Sequence, residues 1–193
     1  MGLRFPDLDR QSLIALLDTA DKTHLVAHCT AVLKDQEVSI PYLFDISFHK
    51  RKEIAFRAAW MLEYLMVHEP ERFAPHVKTL LEHLAEQQNH SAMRHYTKMV
   101  ALLTAKNAHP LYRELVETTD FEPVIDVLFT RLVTPEVLVA SKVHCMQALA
   151  NLAPRYRWIK DDLMETIDYL TDIESIAFFA RAKQVRLQLK KIK

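Results

Sequence analysis

The chain is almost free of glycine, with one residue, Gly2, in 193. Sheet proteins place glycine at primed hairpin turns and bulges, and phosphate-binding loops need it wherever backbone must come close to a ligand. A β fold and a glycine-rich nucleotide site are therefore both excluded in their usual forms. Cysteine is nearly as scarce: Cys29 and Cys145 make no disulfide framework, and each sits in a helical apolar context that suits a buried free thiol. Net charge is missing too, because 25 basic and 25 acidic residues cancel and leave no global field to gather nucleic acid or an anionic membrane. No apolar run approaches the roughly 18 residues of a membrane span. The opening "MGLRFPDLDR" lacks the apolar core of a secretory signal. The expectations are a cytoplasmic protein with no membrane association and no cofactor. No linker rich in Gly, Pro or Ser divides the chain, so residues 1–193 read as one domain.

What is present points one way. Half the residues are apolar and about a quarter charged, and they recur at helical spacing, which predicts an all-α protein. Three segments share a lead-in proline followed by apolar residues at matched offsets: "IPYLFDISF" from Ile40, "APHVKTLLEHL" from Ala74 and "EPVIDVLFTRL" from Glu122. Aligning Pro41, Pro75 and Pro123 superposes Leu43, Val77 and Ile125, then Ile46, Leu80 and Leu128. Proline is tolerated in a first helical turn, where its missing N–H has no partner to lose. These are read as equivalent second helices, each paired with a preceding first helix that is richer in alanine.

The first helices are "EIAFRAAWMLEYLM" from Glu53, "AMRHYTKMVALL" from Ala92, "VLVASKVHCMQALA" from Val137 and "SIAFFARAKQVRL" from Ser175. Aligning the first two matches Arg57 with Arg94, Leu62 with Met99 and Leu65 with Leu102. The stretch Glu53–Leu65 has few charged residues, which suits a helix touched by its own partner and by neighbours before and after it. The period is irregular, between roughly 35 and 50 residues, and the long middle unit carries the insertion "NAHPLYRELVETTD". The reading is an α-α superhelix of about nine to ten helices. Cap helices cover about residues 8–35, helix-pair repeats 36–170 and a basic cap helix 174–193.

On these residues the chain resembles the HEAT-like repeat proteins of the armadillo superfamily, the small bacterial type. The resemblance rests on "TPEVLVASKVHCMQALANLAP" (Thr134–Pro154), on "HKRKEIAFRAAWMLEYL" before "RFAPHVKTLLEHL" and on the terminal "IAFFARAKQVRLQLKK". It implies a right-handed superhelix whose second helices line a concave face. It also implies a scaffold that binds a protein partner, with nucleic acid as the alternative, as in the similar DNA-alkylation-repeat branch.

The chemistry-bearing residues are few. His24 and His28 stand at i,i+4 with Cys29 beside them, but zinc needs a third and usually a fourth ligand, and no HExxH or CxxC supplies them. The pairs His76/His83 and His90/His95 are loosely spaced, and His144 and Cys145, as sequence neighbours, diverge on a helix. No metal site and no catalytic set is assigned, and the protein is read as more a binder than an enzyme. Two surfaces are candidates for a protein partner. Phe56, Trp60 and Tyr64 form an i,i+4,i+8 aromatic row, of which Trp60 and Tyr64 are the candidate contacts. If the apolar residues of the second helices face inward, His76, Thr79, His83, Asp126, Thr130 and Lys160 turn toward the concave side. For nucleic acid, the candidates are Arg181, Lys183, Arg186, Lys190 and Lys191 in the acid-free "RAKQVRLQLKKIK". The favoured fate of that segment is neutralisation by the base-free "DDLMETIDYLTDIE" just before it.

Overall fold

The computed structural model describes residues 9–19, 30–33 and 38–192. Among them are eleven helices and no strand: α1 (Arg10–Thr19), α2 (Ile40–Ile46), α3 (Lys52–His68), the single turn α4 (Pro70–Phe73), α5 (Val77–Glu86), α6 (His90–Leu103), α7 (Pro110–Thr118), α8 (Glu122–Val133), α9 (Val139–Leu152), α10 (Ile159–Thr171) and α11 (Ile176–Leu189). A 3-10 turn, Ala74–His76, joins α4 to α5. The helix expected over 22–34 lies mostly outside the described residues, of which 30–33 are helical. No described helix is long and apolar enough to cross a membrane.

The helix starts follow from local chemistry. Pro41, Pro70, Pro75, Pro110 and Pro123 each stand at a first or second helical position, where the lost N–H would have been an orphan. Where proline is absent from a start, α6 is capped by Asn89, whose Oδ1 accepts from the backbone N–H of Ser91 at 3.0 Å and of Ala92 at 3.3 Å. The insertion near Pro110 is α7. Its Tyr112 is buried and donates its hydroxyl to the Met66 carbonyl at the end of α3, 2.7 Å away.

The helices form two layers, α2, α5, α8 and α10 in one and α3, α6, α9 and α11 in the other. One expectation is corrected here. The repeat unit joins a proline-led helix to the alanine-rich helix that follows it, not to the one before: α2 packs on α3, α5 on α6 and α8 on α9, while α10, which no proline leads, packs on both α9 and α11. The connections show why. Short turns such as 87–89 and 134–138 hold these partners together, whereas α7 and its flanks separate α6 from α8. The two layers also differ in how closely their helices pack. Neighbouring alanine-rich helices approach one another closely, α3 with α6, α6 with α9 and α9 with α11, while neighbouring proline-led helices meet more loosely. The alanine-rich layer is the tighter of the two and is called the inner layer. Ala58, Ala59, Ala92, Ser141 and Ala148, all fully buried, permit that approach because small side chains let backbones come together.

The burial pattern also resets the repeat register by one residue. Ile54, Ala58, Met61, Leu62 and Leu65 of α3 correspond to Ala92, Tyr96, Met99, Val100 and Leu103 of α6, and to Ser141, Cys145, Ala148, Leu149 and Leu152 of α9, every one of them buried. Arg57 therefore matches His95, not Arg94, and Leu65 matches Leu103, not Leu102. Arg57 is buried and Arg94 exposed, as this register requires. One contiguous apolar core runs from Leu13 to Leu189.

Buried polar groups knit successive repeats. Arg57 donates to the carbonyls of Leu17 and Asp18 at the end of α1, and Arg131 to those of Leu84 and Gln87 at the end of α5. Tyr96 is fully buried, with its hydroxyl 2.7 Å from Ser47 Oγ, and burial raises its pKa. The Cys145 thiol is buried and pushed up to about 12 by desolvation, an inert group.

Candidate functional site

The corrected register lines up the inner-face side chains across three helices. Trp60, Lys98 and Gln147 occupy one equivalent position, and Tyr64, Leu102 and Asn151 the next, one turn along. Trp60 and Tyr64 are half-buried and stack with ring centroids 5.6 Å apart, and Tyr64 lies 4.2 Å from the His68 ring. They line an open cleft of about 430 Å³ between α3 and α6, closed below by Val67 and Leu102 and edged by Glu63 and Lys98. Trp60 and Tyr64 thus pack on the edge of the apolar core with one side and wall the cleft with the other. Phe56 turns away from it to pack on His95, with centroids 5.1 Å apart.

Glu63 sits at the junction. His95 Nδ1 donates to its Oε2 at 2.7 Å, and Lys98 donates to its Oε1. Burial pushes the carboxyl up, but the hydrogen bonds and positive charges of His95 and Lys98 outweigh it and leave the pKa below the usual carboxylate range. Across the next interface, the half-buried His144 is pushed down to about 4, first by desolvation and then by the charges of Lys98, Arg94 and Arg181, with Glu63 opposing them. Farther along, Arg181 donates to Gln147 Oε1 at 3.0 Å, Gln147 to Gln188 Oε1 at 3.0 Å, and Gln188 to the Ala150 carbonyl at 3.1 Å. Asn151 donates to the Ala101 carbonyl at 3.0 Å. The inner face therefore passes from aromatic to cationic to amide character as it runs from α3 to α11.

Charge is segregated between the layers. The spans of α6, α9 and α11 contain no aspartate or glutamate, while α10 alone carries Asp161, Asp162, Glu165 and Asp168. The neutral whole conceals a cationic inner layer. Composition gave no hint of this, because the balance is only visible once the layers are separated.

The other predicted residues lie elsewhere. His76, Thr79 and His83 belong to the outer layer and are half-buried. His83 packs edge-on against Phe44 and Phe48, at 5.6 and 5.1 Å, and His76 lies 6.5 Å from Phe44, so both histidines fill the seam between α2 and α5. Desolvation, then the nearby Arg72, lowers the His76 pKa. Asp126 and Thr130 are exposed on α8, and Lys160 donates to the Ile192 carbonyl at 2.7 Å. These residues do not converge with Trp60 and Tyr64. Of the basic set, Arg186 pairs with Asp168 on α10, Arg181 faces Gln147, and Lys183, Lys190 and Lys191 are exposed. Arg186–Asp168 is the intramolecular neutralisation expected for this segment, carried by one ion pair.

His24, His28 and Cys29 lie outside the described residues. Among the described residues, no three His, Cys, Asp or Glu side chains group as metal ligands would. Sequence reasoning missed Glu63, Arg94, Lys98, His144 and Gln147. His144 was set aside as a neighbour of Cys145, and a register one residue out had matched Lys98 to Met61 instead of to Trp60.

Two layers of antiparallel helices in repeating pairs, with a continuous inner face, define an α-α superhelix. The chain belongs to the HEAT repeat family: the HEAT repeat domain matches residues 14–187. No curated protein sequence matches it.

Proposed function

We propose that this protein is a non-enzymatic interaction module that holds a protein partner against its inner helix layer. One observation carries the reading: Trp60 and Tyr64, stacked and half-exposed, wall an open apolar cleft on that layer. Aromatic side chains offer large contact area at small entropic cost, and a site that desolvates them is where binding energy concentrates. HEAT repeat domains typically serve as protein-interaction scaffolds, which agrees with the reading. Lys98 and Arg94 beside the cleft supply polar contacts, while the outer-layer set of His76, Thr79, His83, Asp126, Thr130 and Lys160 is a secondary surface.

The test is affinity capture of the tagged chain from its host lysate, with and without nuclease, in parallel with a Trp60→Ala/Tyr64→Ala variant. A discrete protein retained after nuclease and lost with the double variant supports the inner-face module. Partners that disappear on nuclease treatment overturn it and bring forward a nucleic-acid role for the exposed Lys183, Lys190 and Lys191.

A further inference from the structure

The inner layer combines two features that no single helix shows. At one side, Trp60, Tyr64, Val67 and Leu102 line a cleft with room for one large side chain. Beyond it, α6 presents Arg94 and Lys98 and α11 presents Arg181, on either side of α9, and none of these three helices contains a carboxylate. The nearby acid, Glu63, already accepts from both His95 and Lys98. Arg94 is exposed and Lys98 is 40% exposed at its side chain, so both reach an incoming ligand.

We propose that this face is a docking groove for an acidic polypeptide segment bearing one apolar anchor, with the anchor in the Trp60–Tyr64 cleft and the following carboxylates against Arg94, Lys98 and Arg181. The inference rests on the interaction-module reading and specifies its partner's chemistry. Charge complementarity selects the occupant: with Glu63 already held by His95 and Lys98, the cations of α6 and α11 attract carboxylates, and planar guanidinium groups receive them bidentately. Spacing sets the pattern. Helices pack about 8–10 Å apart, so two interfaces span roughly 20 Å, and an extended chain covers that in about six residues. The same face suits nucleic acid less well. It offers three cations, one of them shared with Glu63, where a duplex-binding face needs a row along the phosphates. The Trp60 and Tyr64 rings stack on each other and the tilted His68 ring lies 4.2 Å from Tyr64, which leaves little free ring face for a base.

The experiment selects a random peptide display library against the immobilised full chain, in parallel with Trp60→Ala, Arg94→Glu and Arg94→Glu/Arg181→Glu variants whose helical melts are checked first. Enriched peptides should carry an aromatic or large aliphatic residue within about six positions of an Asp/Glu cluster. A labelled enriched peptide should lose at least about tenfold in affinity on either Trp60→Ala or Arg94→Glu, and should weaken as salt rises. Neutral or basic peptides that are nevertheless lost with Trp60→Ala would overturn the inference and leave the interaction module standing. Peptides insensitive to every variant, or no enrichment at all, would overturn both. A duplex oligonucleotide that binds more tightly than any peptide, and is lost on Arg94→Glu/Arg181→Glu, would reassign the cations to phosphate and overturn the inference.

Discussion

Arg131 on α8 closes the carboxyl end of α5 by donating to the carbonyls of Leu84 and Gln87, the latter at 3.1 Å. The last carbonyls of a helix have no partner within it, and a guanidinium meets several at once. Because α5 and α8 belong to successive repeats, this side chain joins one unit to the next. It is 6% exposed, and burial lowers its pKa. Arg131→Met should cost about 1–3 kcal/mol, since it strands buried carbonyls, and Arg131→Lys should restore only part of that because an ammonium lacks the fork. Urea denaturation followed by circular dichroism measures both. A neutral Arg131→Met would show that water replaces the cap without penalty.

The tight inner layer makes a different prediction. Ala148 is fully buried on α9, at the position equivalent to Met61 of α3 and Met99 of α6, where the inner helices meet. Ala148→Leu should destabilise by about 1–3 kcal/mol through overpacking, whereas Ala85→Leu, at an exposed site on the outer layer, should be within about 0.5 kcal/mol of neutral. Equal costs at the two sites would mean that the inner layer has slack and that close approach does not depend on small side chains.

Much of this architecture was legible in the sequence. Pro41, Pro75 and Pro123 marked three helix starts, and the alanine content of Glu53–Leu65 marked a helix packed on several sides. Pairing was not legible, because proline fixes where a helix begins but not which neighbour it folds onto. Nor was the register: Arg57 and Arg94 are the same residue type, but one reaches back to α1 and the other faces solvent. Apolar spacing tolerates a slip of one residue on a helix packed nearly all round, so only burial distinguishes the alternatives. The site suffered most, since Trp60, Lys98 and Gln147 are too far apart in sequence to be read as one row.

Acid should weaken the fold in two stages. The His144 imidazole has a folded pKa of about 4 against an ordinary 6.5, so between those values the unfolded chain binds a proton that the folded one refuses. Its contribution to stability is therefore present above that window and is lost as pH falls through it. Glu63 acts lower: its folded pKa is depressed, so its contribution holds above the ordinary carboxylate value of 4.5 and is lost as pH falls through the folded pKa. His144→Gln should flatten the fall in denaturation midpoint between about pH 6.5 and pH 4 while leaving the steeper loss below it. An unchanged slope in the upper window would assign the acid sensitivity to other groups.

The pair Lys142–Glu174 tests whether buried charge is retained for stability. Lys142 Nζ donates to Glu174 Oε1 at 2.5 Å, with the side chains 2% and 10% exposed, and the bond ties α9 to the turn before α11. Taking two charges from water is costly, and their attraction repays it only while both are present. Removing either partner leaves the other buried and uncompensated, so Lys142→Met and Glu174→Leu should each cost about 3–5 kcal/mol. The double variant should cost much less than the sum, because an apolar pair of similar volume carries no desolvation penalty. A double-mutant cycle by urea denaturation reads the difference directly. Additive single costs would mean that the two charges are solvated independently, and that α11 is held to the stack by its apolar residues Phe178, Ala182, Val185 and Leu189 and by the hydrogen bonds of Arg181, Arg186 and Gln188.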